Sequence, residues 1–188
     1  LIAVWEPTAP DAPTETLTAS SGSVTIELGT GVGTGGLPTS FTVTAINVAT
    51  GLSAGTCQVI SPATSCTVAG LTNGVAYNFS AIAENSSGVS TATLAGPITP
   101  STVPGSPTSP SATIDNGKAT VSFTASANNG GASITSYTVT AYAADGVTVA
   151  GTCTATPPAT SCEITGLTNG SAYTYKVVAN NANGASVV

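Results

Sequence analysis

Histidine and arginine are both missing from this 188-residue sequence, and Lys118 and Lys176 are its only bases. Nucleic-acid binding rests on clustered Lys and Arg neutralising phosphates, which two lysines cannot do. Heparin and anionic membrane surfaces are poor partners for the same electrostatic reason. Without His there is neither an imidazole base nor an imidazole metal ligand, and without Arg there is no RGD-type integrin motif. The eight carboxylates bring the net charge to −6, spread thinly along the chain rather than held in an acidic tail. Aromatics make up only 5%. No apolar run reaches membrane-spanning length, so no membrane insertion is expected. Nothing at the start reads as a signal peptide and Leu1 is not an initiator Met, so the sequence is expected to be a processed or excised piece of something longer.

What is present is mostly Ala, Thr, Ser, Gly and Val, and it repeats. GTCQVISPATSCTVAGLTNG at 55–74 returns as GTCTATPPATSCEITGLTNG at 151–170, an offset of 96 residues. FTVTA at 41–45 returns as YTVTA at 137–141, and AYNFSAIAENSSGVS at 76–90 as AYTYKVVANNANGAS at 172–186. A period of that length is a whole domain, not a solenoid unit. Inside each copy the apolar residues alternate with polar ones: Val24, Ile26 and Leu28; Phe41, Val43 and Ala45; Tyr77, Phe79, Ala81 and Ala83. The second copy matches them with Ala119, Val121 and Phe123; Tyr137, Val139 and Ala141; Tyr173, Tyr175, Val177 and Ala179. Period-2 strands between Asn-Gly, Gly-Gly and Pro signals predict an all-β chain, two tandem antiparallel β-sandwiches with one face buried per strand. The expected organisation is an N-terminal strand and linker over 1–10, a first domain over 11–98, a stiff Pro-rich linker over 99–107 and a second domain over 108–188.

GLTNGVAYNFSAIAENSSGVS and GLTNGSAYTYKVVANNANGAS resemble the E–F corner, F strand, F–G turn and start of strand G of immunoglobulin-like fibronectin type III domains. The likeness covers nearly all of both copies. It implies that Leu71 and Leu167 are core leucines of the corner and that Tyr77 and Tyr173 are the corner tyrosines, bonded back to upstream backbone. The family often carries a Trp on strand B, where Leu28 and Phe123 stand here. The Thr/Ser/Ala-rich, Cys-bearing character looks like the modules of secreted bacterial proteins, which serve as spacers, stalks or surface modules.

Four cysteines allow three pairings. The repeat selects Cys57–Cys66 and Cys153–Cys162, each pair flanking a PATS turn and expected to staple adjacent strands. A four-thiolate zinc site fits poorly, because the spacing is too wide for a CxxC knuckle and the pairs lie in separate copies. Disulfides imply an oxidising compartment, extracellular or at the cell surface. Ser and Thr are plentiful, but no base is placed to activate them, so no enzyme activity and no cofactor are expected. Glu6, Asp11 and Glu15 lie near the first linker, where solvated carboxylates are the plainer reading than a calcium site. Glu27, Glu84, Asp115, Asp145 and Glu163 show no paired-carboxylate spacing. A Lys–Asn isopeptide is not general here, because the first copy has no Lys. Asn78, Asn85 and Asn169 stand in N-x-S sequons, which leaves glycosylation open.

The ends of the chain complement each other. The proline spacing aligns PDAPT at 10–14 with PGSPT at 104–108, which carried backwards sets Leu1 opposite Ala95 and Trp5 opposite Thr99. Leu1, Ile2, Ala3, Val4 and Trp5 then read as the tail of a G strand, an intersubunit strand. The second copy, with Val188 opposite Ala92, is expected to stop inside its own G strand, so that Ala185, Ser186, Val187 and Val188 form the acceptor edge. Trp5 would be buried in the neighbour, packed at an interdomain hinge, or exposed in a linker. A sandwich short of an edge strand exposes backbone groups that an extended segment can satisfy. Head-to-tail self-association is therefore the expected partnership, in a filament subunit or in one repeat of a long covalent array. The other reading is an accessory spacer of a secreted adhesin or polysaccharide-degrading enzyme; Trp5 and Tyr142 make no platform for sugar stacking.

Overall fold

A computed structural model describes residues 8–31, 33 and 35–188. The expected intersubunit strand, Leu1, Ile2, Ala3, Val4 and Trp5, lies outside the described residues. The chain divides into two compact units between Ser101 and Thr102.

The first unit contains β1 (Thr14–Ser20), β2 (Ser23–Gly29), β3 (Ser40–Asn47), β4 (Ser53–Ile60), β5 (Ser65–Ala69), β6 (Tyr77–Asn85), β7 (Gly88–Val89) and β8 (Thr93–Ile98). One sheet has the order β1-β2-β5; the other runs β4-β3-β6, with β7 and β8 both on the outer edge of β6. All pairings are antiparallel. The alternation predicted from sequence is what the sheets bury. Val24, Ile26 and Leu28 of β2 face Phe41, Val43 and Ala45 of β3 and Tyr77, Phe79, Ala81 and Ala83 of β6 in one core. Since successive side chains of a strand point to opposite faces, this register also turns the threonines and serines between them outward.

The second unit contains β9 (Thr108–Asp115), β10 (Lys118–Thr124), β11 (Ser136–Ala143), β12 (Val149–Ala155), β13 (Ser161–Thr165), β14 (Tyr173–Asn181) and β15 (Gly184–Ala185). Its sheets are β13-β10-β9 and β12-β11-β14-β15. Phe123 and Tyr137 meet in its core with ring centroids 4.8 Å apart and planes tilted by 57°, a favourable edge-on geometry. Leu28 and Phe123 both occupy buried positions on the second strand of their units.

Each unit closes its first hairpin in two residues, and the tight turn puts a glycine in the left-handed region: Gly22 at φ +65° and Gly117 at φ +68°. A distant asparagine holds the turn. Asn73 Oδ1 accepts the Gly22 N–H at 2.8 Å, and Asn169 Oδ1 accepts the Gly117 N–H at 2.8 Å. The leucine two residues before each asparagine donates its own N–H to the same glycine's carbonyl, Leu71 to Gly22 and Leu167 to Gly117.

Candidate strand-acceptor site and structural devices

The two disulfides join Cys57 to Cys66 and Cys153 to Cys162, each with Cα atoms 6.0 Å apart. Their strands are consecutive in sequence but lie in opposite sheets. Cys57 is on β4 and Cys66 on β5; Cys153 is on β12 and Cys162 on β13. Each bridge therefore ties the edge of one sheet to the edge of the other, closing the sandwich along one side. No free cysteine remains among the described residues.

The corner tyrosines act as acceptors. Tyr77 Oη takes the Thr72 N–H at 3.0 Å, and Tyr173 Oη takes the Thr168 N–H at 2.9 Å. The bond from Thr168 lowers the Tyr173 pKa below the ordinary phenol value, while burial raises that of Tyr175. A further asparagine pair was visible in sequence only as a sequon on one side. Asn85 Nδ2 donates to the Thr8 carbonyl at 2.9 Å, and Asn181, buried, donates to the carbonyls of Thr102 at 2.8 Å and Asn129 at 2.9 Å. These two positions, 96 residues apart, tie the segment entering each unit to the end of its sixth main strand. Asn169 likewise spends its side chain on Gly117 and on Asn116.

The carboxylates do not converge. Asp11 accepts the Gly35 N–H at 2.8 Å, and Glu15 accepts from the Thr93 hydroxyl. No cluster of three His, Cys, Asp or Glu side chains occurs among the described residues. Lys118 lies 2.9 Å from Glu163 and 3.9 Å from Asp115, and Lys176 sits 5.0 Å above the Tyr142 ring, an exposed cation–π contact.

Glu15 carries a cost. Its Oε2 is buried with no partner, and burial raises its pKa from the ordinary 4.5 despite the opposing hydrogen bonds from Thr93 and backbone. Because the folded value lies above the unfolded one, the folded state holds the proton more tightly. That contribution is full below 4.5 and is lost as pH rises through the elevated value. Glu15→Gln keeps an acceptor for Thr93 and removes the buried charge. It is expected to stabilise the first unit at pH 7 and to flatten its stability between pH 4 and pH 7. Urea melts at both pH values test this; an unchanged slope would contradict it.

The two units differ most along the outer edge of β6 and β14. In the first unit β8 runs beside β6, pairing Thr93 with Ala81, Ala95 with Phe79 and Ile98 with Tyr77, with a bulge between. Under it Tyr77 is 3% and Leu71 5% exposed. In the second unit only β15 pairs on that side of β14, at Asn180 and Asn181. Thr135 N–H bonds to the Asn180 carbonyl, so the backbone groups of the even residues of β14 point at β11, and those of the odd residues point away from it. Ala179 spends its outward groups on Ser186, whose N–H reaches the Ala179 carbonyl and whose Oγ accepts the Ala179 N–H. Val177, Tyr175 and Tyr173 turn their outward groups to the side that β8 covers in the first unit. Along it Tyr173, Tyr175 and Leu167 are half-buried, Ile114 is 79% exposed, and every residue of β9 is exposed.

Ala185, Ser186, Val187 and Val188, expected to form the acceptor edge, are thus largely committed to their own unit. Ala185 is in β15, Ser186 is buried against Ala179, and the Val187 carbonyl accepts from Ser106 Oγ at 2.7 Å. Val187 and Val188 expose their side chains. The period-2 pattern of 173–179 placed the strand but held no sign of what covers it.

Residues 105–187 match the family described as Fibronectin type III domain. Among solved structures the chain is similar to a two-domain fibronectin type III segment from chicken tenascin, at 22% identity, over 95% of this chain and 94% of that one, with a TM-score of 0.45. It is also similar to the FN1–FN3 domains of chicken CNTN1, at 16% identity and a TM-score of 0.47; 97% of this chain is covered, and 65% of that one. No curated protein matches the sequence. The chain is all-β, two tandem antiparallel sandwiches of the fibronectin type III fold.

Proposed function

We propose that the chain is a non-catalytic structural module of an extracellular filament or surface stalk, its copies joined head to tail by strand complementation or as repeats of a continuous array. The observation that carries this is the tandem of two like sandwiches, each bridged by its own disulfide from one sheet to the other. Strand exchange between copies would be a heterologous contact, which grows into a fibre unless it closes on itself. Disulfides across both sandwiches suit an oxidising, extracellular setting. The dearth of charge and of clustered titratable groups accords with a mechanical role.

Weighing the native assembly before and after full denaturation, with disulfides intact, tests this reading. Large material that falls to a species near 18.0 kDa supports separate subunits; a very large denatured chain supports the continuous array. Material that is small both before and after overturns the filament reading and leaves a spacer module of a secreted adhesin or polysaccharide-degrading enzyme.

A further inference from the structure

The fold leaves the side chain of one sequon asparagine unengaged. Asn85 Nδ2 donates to the carbonyls of Thr8 at 2.9 Å and Leu37 at 3.5 Å, and its Oδ1 accepts the Ser87 N–H at 2.8 Å. Asn169 commits both ends of its amide to the first hairpin of the second unit, at Gly117 and Asn116. The Asn78 side chain has no hydrogen-bond partner among the described residues. Nor is it sealed off, since Glu15 Oε2 is the one buried side-chain oxygen or nitrogen left without a partner among them. Asn78 Nδ2 therefore meets solvent. We propose that Asn78 carries an N-linked oligosaccharide, whose first sugar covers the apolar side chains beside it on the outer face of the β4-β3-β6 sheet. The proposal rests on the extracellular reading above.

The placement of Asn78 follows from the strand that holds it. Tyr77 and Phe79 are buried, so the period of β6 turns Asn78 away from the core. Ser80, whose hydroxyl completes the sequon, falls on the same outer face. Ile46 of β3 stands directly across from Asn78, and Leu94 of β8 stands across from Ser80, 66% exposed. On its other side Asn78 meets the bulge of β8, which lies between the pairs Tyr77–Ile98 and Phe79–Ala95. Gly96 brings no side chain there; an added Cβ would lie 3.1 Å from Asn78 Oδ1. A sugar on Nδ2 thus finds room above the bulge and aliphatic side chains for its C–H face to cover.

The second unit meets the same need without a sequon. At an offset of 96 residues, Tyr142 stands in the place of Ile46 and Lys176 in the place of Ser80. Lys176 Nζ sits 5.0 Å from the centre of the Tyr142 ring, so its stem lies over an apolar surface while its charge stays in water. Thr174 replaces Asn78, and no acceptor amide remains. In the first unit the short Ser80 covers nothing, and the glycan takes the part of the lysine.

The transfer balances with a lipid-diphosphate-linked oligosaccharide as donor, supplied by the secreting cell. Asn78 Nδ2 forms the new bond to the anomeric carbon of the sugar. The bond from that carbon to the diphosphate oxygen breaks, and its electron pair leaves with the lipid diphosphate. One Nδ2 proton is lost to solvent. Because β6 is paired on both sides, to β3 and to β8, the transfer precedes folding, and the finished sheet carries the glycan outward.

Peptide mapping of the native protein by tandem mass spectrometry tests this, with the disulfides scored in the same digest. Expected are an oligosaccharide mass on the peptide carrying Asn78, none on those carrying Asn85 and Asn169, and both bridges formed. Ser80→Ala, made in the same cells, keeps Asn78 but breaks the sequon. That variant is expected to lose the oligosaccharide mass from the intact chain while its circular dichroism stays unchanged. An unmodified Asn78 in a native chain with both bridges formed overturns the glycan and leaves the extracellular reading standing. An unmodified Asn78 beside free cysteines overturns both. Sugar on Asn85 or Asn169, whatever Asn78 carries, overturns the selection drawn from their hydrogen bonds.

Discussion

Appending TLAGPITP, a copy of residues 93–100, directly after Val188 is expected to raise the unfolding free energy of the second unit by about 3 kcal/mol, the net of side-chain burial, strand pairing and ordering entropy. β14 and β6 are offset by 96 residues, so the first appended residue falls opposite the place of Thr93 and the strand enters in register. It covers Leu167, Tyr173 and Tyr175, each now half-buried, and brings partners to the outward groups of Val177, Tyr175 and Tyr173. The glycine at its fourth position supplies the bulge. Ordering eight residues offsets much of the gain, which is why a full strand is worth only a few kcal/mol. Thermal or urea melts should show the second transition moving up and the first staying put. No change in the second would mean that β14 is not short of a strand.

Removing the Cys153–Cys162 bridge with the double change Cys153→Ser and Cys162→Ser is expected to cost the second unit about 2–3 kcal/mol, the entropy regained by releasing a loop of this length in the unfolded chain. The first unit's bridge closes a loop of the same nine-residue separation, so Cys57→Ser with Cys66→Ser should cost a similar amount. The consequences differ because the reserves differ. The first unit keeps β8 over buried Tyr77 and Leu71, whereas Tyr173 and Leu167 of the second are half-buried. Loss of the second bridge should therefore leave a unit that melts well before its neighbour, and loss of the first should bring the two transitions together. Equal separation in both variants would contradict the difference in reserve.

The buried faces were readable from the sequence because period 2 is a local property. Val24, Ile26 and Leu28 declare their side of the sheet within five residues, and the 96-residue repeat fixed which strand answers which. The repeat also picked out the cysteine pairs. That each bridge crosses from one sheet to the other was not readable, since sequence order makes β4 and β5 neighbours while the fold puts them in different layers. Asn73 and Asn169 were similarly opaque: each holds a hairpin 51 or 52 residues upstream, and a long-range side-chain bond leaves no periodic mark. Asn85 read as a sequon, whereas its amide donates to the Thr8 carbonyl. Ala185 to Val188 read as the start of a G strand, and the sequence held no sign that Ser186 closes on Ala179. Tyr77 and Tyr173 sit in near-identical sequence and differ in burial only through a strand that belongs to neither motif.

The reading proposed for this chain is a structural module of an extracellular filament or stalk. Weighing the native assembly before and after full denaturation, with disulfides intact, tests it most directly. The reading predicts large native material, which falls to a species near 18.0 kDa for separate subunits or stays a very large chain for a continuous array. Material that is small both before and after would contradict it.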